Sequence, residues 1–460
     1  MNRTTVLAAA VGLSAWGCGG GGDSTAPEST GAISITLSTP ALSVWQGQSQ
    51  TLNLGIARTN FAGAVTLTIS GAPPGLTVTA AATNVTGDAT TLTVAAGVTT
   101  APGTYTITIT ASSAGIATHA VSFTVTVTVP CTLHEPVGYS PPLPFVPPTG
   151  ATCKASDAAT LRDCVTRLRQ GTSDMLEVTT LITCSGPDAC LIDLVDINRH
   201  LVIFGTPGAS AGFRRIDSYA YPIVNLFHAS KVTIANLIFD EGPDGACDAC
   251  ASTIGIHDAS DLLLDRLTLL HGKSHAIAII AARNLIIRNS LIEDAGVFGI
   301  WSGISQSSNV LVENNSFKDV QSNAMFWSFT DSTTIRRNTF RHNHRVALFN
   351  ECDGLCPGGQ LDILISNHLL IGSNRILDGV IDLNNATGQV GGIEMDRSLH
   401  DVTIRNNEIA NNRGVGISVN PEASDLANIV ITGNNLFGNG VPLSGFENRP
   451  IEVSNNCLSP

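Results

Sequence analysis

The sequence predicts an all-β protein, a parallel β-helix solenoid preceded by a small β-sandwich. Three segments carry the first expectation: Asn284–Ile292, Asn309–Phe317 and Ser332–Phe340. Each opens on a polar residue, alternates apolar with polar, turns at Asn or Arg, and closes on a large apolar side chain. Leu285 and Val310 stand 25 residues apart, and Val310 and Thr333 stand 23 apart. A short strand unit repeating at that length cannot bury its apolar face alone and must stack on its neighbours. Period two specifies strand rather than helix. The second expectation rests on residues 32–129, where seven short alternating segments are punctuated by turns such as Ala72–Gly75 and Ala101–Gly103, the pattern of a sandwich.

Charge and composition narrow the setting. Lys and Arg number 24 against 37 Asp and Glu, a net charge of −13, so the surface on average repels a phosphate backbone and nucleic acid is not an expected partner. Asn2 and Arg3 precede a short apolar run, Val6–Trp16, which has the layout of an export signal and is too short to span a bilayer. Cys18 followed by Gly19–Gly22 resembles the lipidation site and tether of bacterial lipoproteins. That resemblance implies a lipid anchor on Cys18 and an outer-membrane or cell-surface location; cleavage as an ordinary secreted protein is the alternative. The other ten cysteines suit disulfides in an oxidising compartment, with zinc at Cys247 and Cys250 as the alternative.

The remaining elements follow in chain order. Residues 19–31 form a Gly-rich tether. The sandwich of residues 32–129, with Gly47, Gly71–Gly75 and Pro102–Tyr105, resembles the immunoglobulin-like modules of secreted bacterial proteins, which implies a spacer; single His119 reads as surface or packing. Residues 130–152 are a Pro-rich, semi-rigid connector. Leu161, Cys164, Val165 and Leu168 share one helical face, with Asp157 placed to cap the helix, and such a face suits the end of a solenoid.

Coils are expected to begin at Val232, Leu262, Leu285, Val310, Thr333, Ile363, Val402 and Ile429, with an interior column seven residues later: Phe239, Leu269, Ile292, Phe317, Phe340, Leu370, Ile409 and Leu436. Asn236, Asn289, Asn314, Asn367 and Asn406 fall at the turn, with Asn315, Asn338, Asn407 and Asn434 one place on. Insertions after Val232, Thr333 and Ile363 map to loops.

On these repeats, residues 150–460 resemble the right-handed parallel β-helix superfamily of pectate-lyase-like proteins, which contains polysaccharide lyases, epimerases, hydrolases and non-enzymatic surface proteins. The fold class is therefore a right-handed parallel β-helix with an N-terminal capping helix, behind a small sandwich. The lyases' Trp-Ile-Asp-His strand corresponds here to Leu263–Arg266, which keeps only Asp265, and the epimerase and polygalacturonase motifs are absent. The resemblance implies a fold and no particular substrate.

Register nominates a site. Residues nine places into each coil (Glu241, His271, Asp294, Asp319, His342, Gly372, Asn411) stack in a column at the roughly 4.8 Å strand spacing. Lys273, His275, His344 and Arg345 lie just beyond it. Asp294 and Asp319 thus become candidates for a carboxylate pair or a calcium site, with Lys273 or Arg345 as base or charge neutraliser. His271, His275, His342 and His344 are candidate substrate contacts, and Trp301 and Trp327 a sugar-stacking platform. Asn, Asp and His also suit such turns for backbone reasons alone. The expected activity is β-elimination on an acidic, uronate-containing polysaccharide; a glycan-binding adhesin or a structural surface protein is the alternative.

Overall fold

The computed structural model describes residues 31–128, 137–150, 152–186, 189–216, 221–242, 252–343, 359–379, 391–421 and 423–459. The chain divides into two compact units, residues 1–130 and 131–460.

The first unit is a sandwich of two sheets. Strands Ala32–Leu37, Ser49–Thr59, Ala89–Ala96 and Leu76–Ala80 form one; Ala41–Trp45, Ile116–Thr128, Gly103–Ser113, Val65–Ser70 and Asn84–Val85 form the other. Alternation along each strand sends Val44, Leu54, Leu92, Ile107, Ile109 and Val125 into a common core. His119 packs at the margin, its Nδ1 accepting from the Ile35 N–H at 3.3 Å.

The second unit is the solenoid. Each coil contributes one strand to each of three long parallel sheets, which hold twelve, eleven and ten strands among the described residues. In one coil, Arg283–Arg288 lies in the first sheet, Leu291–Glu293 in the second and Ile300–Ser302 in the third. Helix Ala158–Gln170 closes the N-terminal end as expected. The Asp157 carboxylate accepts from the Thr160 N–H, Gly171 ends the helix at φ 73°, and Leu161, Cys164, Val165 and Leu168 join the solenoid core. Disulfides Cys153–Cys164 and Cys184–Cys190 secure this cap region.

Seven of the eight expected coil starts are in mutual register, and one is corrected. Thr333 pairs with Leu369, which pairs with Val402. Ile363 instead lies in the third sheet opposite Trp327. The apolar alternation around Ile363 imitates a first-sheet strand, and periodicity alone cannot tell one sheet of a solenoid from another. The interior column therefore runs through Ile376, not Leu370, and the turn column through Ser373, not Asn367, with Asn374 one place on. Gly372 likewise leaves the candidate site column, and Asp378 takes its place.

Two polar ladders run inside this apolar column. Ser290, Asn315, Asn338, Asn374, Asn407, Asn434 and Asn456 occupy one corner of successive coils. Each asparagine side-chain oxygen accepts the backbone N–H of its predecessor, at 2.9–3.0 Å. From Asn315 onward each amide also donates to the next asparagine, as Asn338 does to Asn374 at 3.1 Å. A second ladder, Asn343–Gln360–Asn412–Asn439, crosses the coil where Gly379 supplies no side chain: the Gln360 amide reaches in and donates to Asn412 at 2.8 Å. Buried amides are tolerated because both their donors and their acceptors are matched.

Residues 137–150 are docked along a corner of the coil. The Tyr139 N–H donates to Thr339 Oγ1 at 2.9 Å, and the Ser140 N–H to Asn314 Oδ1 at 2.7 Å. Arg266 donates to the Leu143 carbonyl at 3.2 Å, and Phe145 packs 5.9 Å from Phe204.

Candidate functional site

The expected corner column forms, with a backbone reason for its composition. His271, Asp294, Asp319 and His342 follow one another on successive coils, each donating its backbone N–H to the coil ahead. All four adopt left-handed φ of 51–56°, which Asn, Asp and His tolerate better than most residues. The charged groups here are already engaged. Asp319 lies 3.1 Å from the Lys318 ammonium and 3.9 Å from His342 Nδ1, and His342 Nε2 lies 3.9 Å from Asp378. His271 Nδ1 is 2.9 Å from the Asp240 carboxylate. Among the described residues no three His, Cys, Asp or Glu side chains converge as a metal site. The Asp319 carboxylate is already paired with the Lys318 ammonium.

Lys273 leaves the surface patch. It is buried, its backbone N–H donates to Glu241 Oε2 at 3.0 Å, and its charge joins that of Arg215 around Glu241. Burial nevertheless pushes the Glu241 carboxyl above its ordinary range, against the pull of Arg215. Arg345, His344 and Cys18 lie outside the described residues. Trp327 points inward and is fully buried, whereas Trp301, one coil earlier and one position out of phase, faces outward. Alternation decides which ring is available.

Trp301 and His275 belong to a different surface, the outer face of the third sheet. One outward column there reads Ala278, Trp301, Phe326, Asp362, Glu394 and Ser418, all paired in register. Its first half is an aromatic stack. His275 lies 5.1 Å from Phe298 and 5.5 Å from Trp301, and Phe298 lies 5.2 Å from Phe326, all nearly parallel. Burial lowers the His275 pKa to about 4, which makes the ring a neutral partner for the aromatics near neutral pH.

The second half of the column carries carboxylates. Asp362 accepts from the Asn323 amide at 2.5 Å, and Glu394 from Asn420 at 3.2 Å. Glu394 is nine-tenths buried, at 6% exposure. Burial first, then the adjacent negative charge of Asp362, pushes its pKa up to about 9; the Asn420 hydrogen bond opposes the shift and Asp396 adds to it. A carboxyl that is protonated near neutrality beside a second carboxylate can donate a proton and keep an anion close by. Asp362 and Glu394 were not nominated from sequence because the misplaced coil start put Ile363 in the wrong sheet. The available signal was a carboxylate between two large apolar residues, Leu361–Ile363 and Ile393–Met395, where strand alternation turns the acid outward.

Three stacked parallel sheets with a capping helix define the class as a parallel β-helix protein. The family model for the right handed beta helix region matches residues 215–356 and 303–458, which together cover more than half of the chain. The chain belongs to the right-handed β-helix family. No curated protein matches the sequence. Among solved structures, domains 4 and 5 of the S-layer protein SbsC share 25% identity over 20% of this chain and 44% of that one, with a TM-score of 0.17. The chain thus spans less than half the length of that structure. A GH87 alpha-1,3-glucanase catalytic domain in complex with nigerose aligns over 89% of this chain and 88% of its own at 12% identity and a TM-score of 0.39. A periplasmic alginate epimerase covers 62% and 76% at 12% identity and 0.36.

Proposed function

We propose that this is an exported, carbohydrate-active β-helix protein that binds a glycan along the outer face of the third sheet and cleaves it by acid–base chemistry. Glu394 is the proton donor and Asp362 the paired carboxylate. The observation that carries the reading is Glu394, a buried, protonated carboxyl in register with Asp362 and three coils beyond an outward tryptophan. The stacked rings of Trp301, Phe326, Phe298 and His275 offer flat apolar surface to a sugar face. Glu394 gives its proton to the glycosidic oxygen as the bond to the anomeric carbon breaks, Asp362 bonds to that carbon, and water then hydrolyses the glycosyl ester with the Glu394 carboxylate taking its proton. Adjacent strands lie about 4.8 Å apart, close to the roughly 5–5.5 Å of retaining carboxyl pairs and short of the roughly 6.5–9.5 Å that an intervening water needs. Retention of anomeric configuration is the expected outcome, read by NMR of the first product formed.

Export fits the disulfides Cys153–Cys164 and Cys184–Cys190, since disulfides form in oxidising compartments, and a lipid on Cys18 is the proposed means of surface attachment. The elimination reading on a uronate polysaccharide has one observation in its favour: protonated Glu394 is a hydrogen-bond donor for a substrate carboxylate. A panel of soluble α- and β-glucans, polygalacturonate and alginate separates the readings. New reducing ends without ultraviolet absorbance indicate hydrolysis; absorbance of an unsaturated product indicates elimination; neither, on any glycan and with or without calcium, removes the catalytic proposal. Trp301→Ala is expected to weaken glycan affinity about tenfold, since an aromatic contact contributes on the order of 1 kcal/mol beyond its buried area. Calorimetric titration of the Trp301→Ala and Trp327→Ala proteins checks this: loss in the Trp327 variant alone, with its fold intact, would overturn the outward assignment.

A further inference from the structure

The face that carries Trp301 continues toward the N-terminal coils. On strand Val224–Phe227 the outward residues are Asn225 and Phe227, and on Ile254–His257 they are Gly255 and His257. Phe227 is a large aromatic left 38% exposed, with its ring 4.0 Å from His228 and 6.2 Å from His257. Between this patch and Trp301 the column that leads to Trp301 holds Gly255 and Ala278, the two smallest side chains available, while the column of Phe227 continues through His257 and Ile280. The face therefore presents an aromatic shelf, two coils with a low column beside His257 and Ile280, a second aromatic shelf, and then the carboxylates. Its trailing edge, where the chain leaves the third sheet, is apolar as well. Ile304 is 69% exposed and Phe329 38% exposed, beside strands Ile300–Ser302 and Met325–Trp327.

Exposed apolar groups in one line are unfavourable in water and favourable under a ligand with apolar faces. From Phe227 to Asp362 is five strand spacings, about 24 Å along the axis; from Trp301 to Asp362 is two, about 10 Å. A short oligosaccharide seated at the carboxylates reaches Trp301 and ends there. Only a longer chain crosses the Gly255–Ala278 column and stacks on Phe227.

We infer that Phe227, with His257 beside it, forms a distal sugar-binding subsite of the same groove, which makes the protein selective for long glycan chains engaged along their length. The inference rests on the third-sheet face being the glycan site. The Asn225–Asp193 hydrogen bond, at 2.8 Å, supplies polar partners at this end for sugar hydroxyls.

The test uses the full exported chain carrying Glu394→Gln, so that bound chains are not cut. Calorimetry measures its affinity for size ladders, from disaccharide to decasaccharide, of α- and β-gluco-oligosaccharides and oligogalacturonates. Affinity for the bound ladder is expected to rise in two stages, first as the chain covers Trp301 and again as it reaches Phe227. Adding Phe227→Ala is expected to remove the second stage, about a tenfold loss for the longest chains, while the shortest binding chains change less than twofold. Phe227→Trp is expected to restore it. If long and short chains bind alike, or if Phe227→Ala weakens all lengths equally, the subsite is overturned and the catalytic-face reading survives. If no ladder binds, or Trp301→Ala leaves binding untouched, both fall together.

Discussion

Glu394→Gln is expected to lower glycan cleavage by roughly 100- to 10,000-fold, the range supplied by a positioned general acid, with substrate affinity largely retained. The amide keeps the size and the hydrogen-bonding edge of the carboxyl and removes only the transferable proton. A second readout moves in a defined direction. Glu394 has a pKa of about 9 in the folded chain against an ordinary value of 4.5, so the folded state binds the proton more tightly than the unfolded state does. The stability contribution of this group is complete below about pH 4.5 and is lost as pH rises toward 9. Thermal melts across that window should show a downward slope for the native chain and a flatter one for Glu394→Gln. Asp362→Asn, which removes the neighbouring negative charge, should flatten the slope partially. A catalytically dead Glu394→Gln protein with an unchanged pH slope would mean that the carboxyl is ordinary and acts by position alone. An active Glu394→Gln protein would remove the proton-donor role.

Asn374→Leu is expected to destabilise the solenoid by roughly 3–5 kcal/mol, because several buried polar groups lose their partners at once. Asn374 is fully buried. Its amide donates to the Ile335 carbonyl at 2.9 Å and to Asn407 Oδ1 at 3.0 Å, while its oxygen accepts from the Asn338 N–H at 2.9 Å. Leucine fills the volume and satisfies none of these. Asn456→Leu, at the open end of the same ladder and only partly buried, should cost less, since water can replace the missing partner. Urea denaturation of both variants measures the difference. Equal effects would show that the ladder contributes through turn geometry rather than through buried hydrogen bonds. Coils depend on their neighbours, so the loss should spread to adjacent repeats and not remain local.

These two residues mark the reach of the sequence. Asn338, Asn407 and Asn434 were readable as a ladder, because a repeat of fixed length brings identical residues together whatever the detail of each loop. Asn374 was not, since the insertion before it broke the count and the misplaced coil start put His368 at its position. His275 and Trp301 were nominated as substrate contacts and do stand on one face, while Trp327, a coil away and of the same chemistry, is core. Asp294 and Asp319 stack as expected, in a corner whose left-handed backbone accounts for much of its Asn, Asp and His content.

The sequence by itself determined the solenoid, its capping helix and the sandwich before it, because alternation, repeat length and helical spacing are local properties that any stacking must respect. It also determined that aromatics and acids recur at fixed places in the coil. Only the tertiary structure decided which acids meet. Asp362 and Glu394 are 32 residues apart with an insertion between them, and they become neighbours through parallel pairing in the third sheet. Burial, which no sequence window reports, then raises the Glu394 pKa and turns a pair of acids into a proton donor beside an anion.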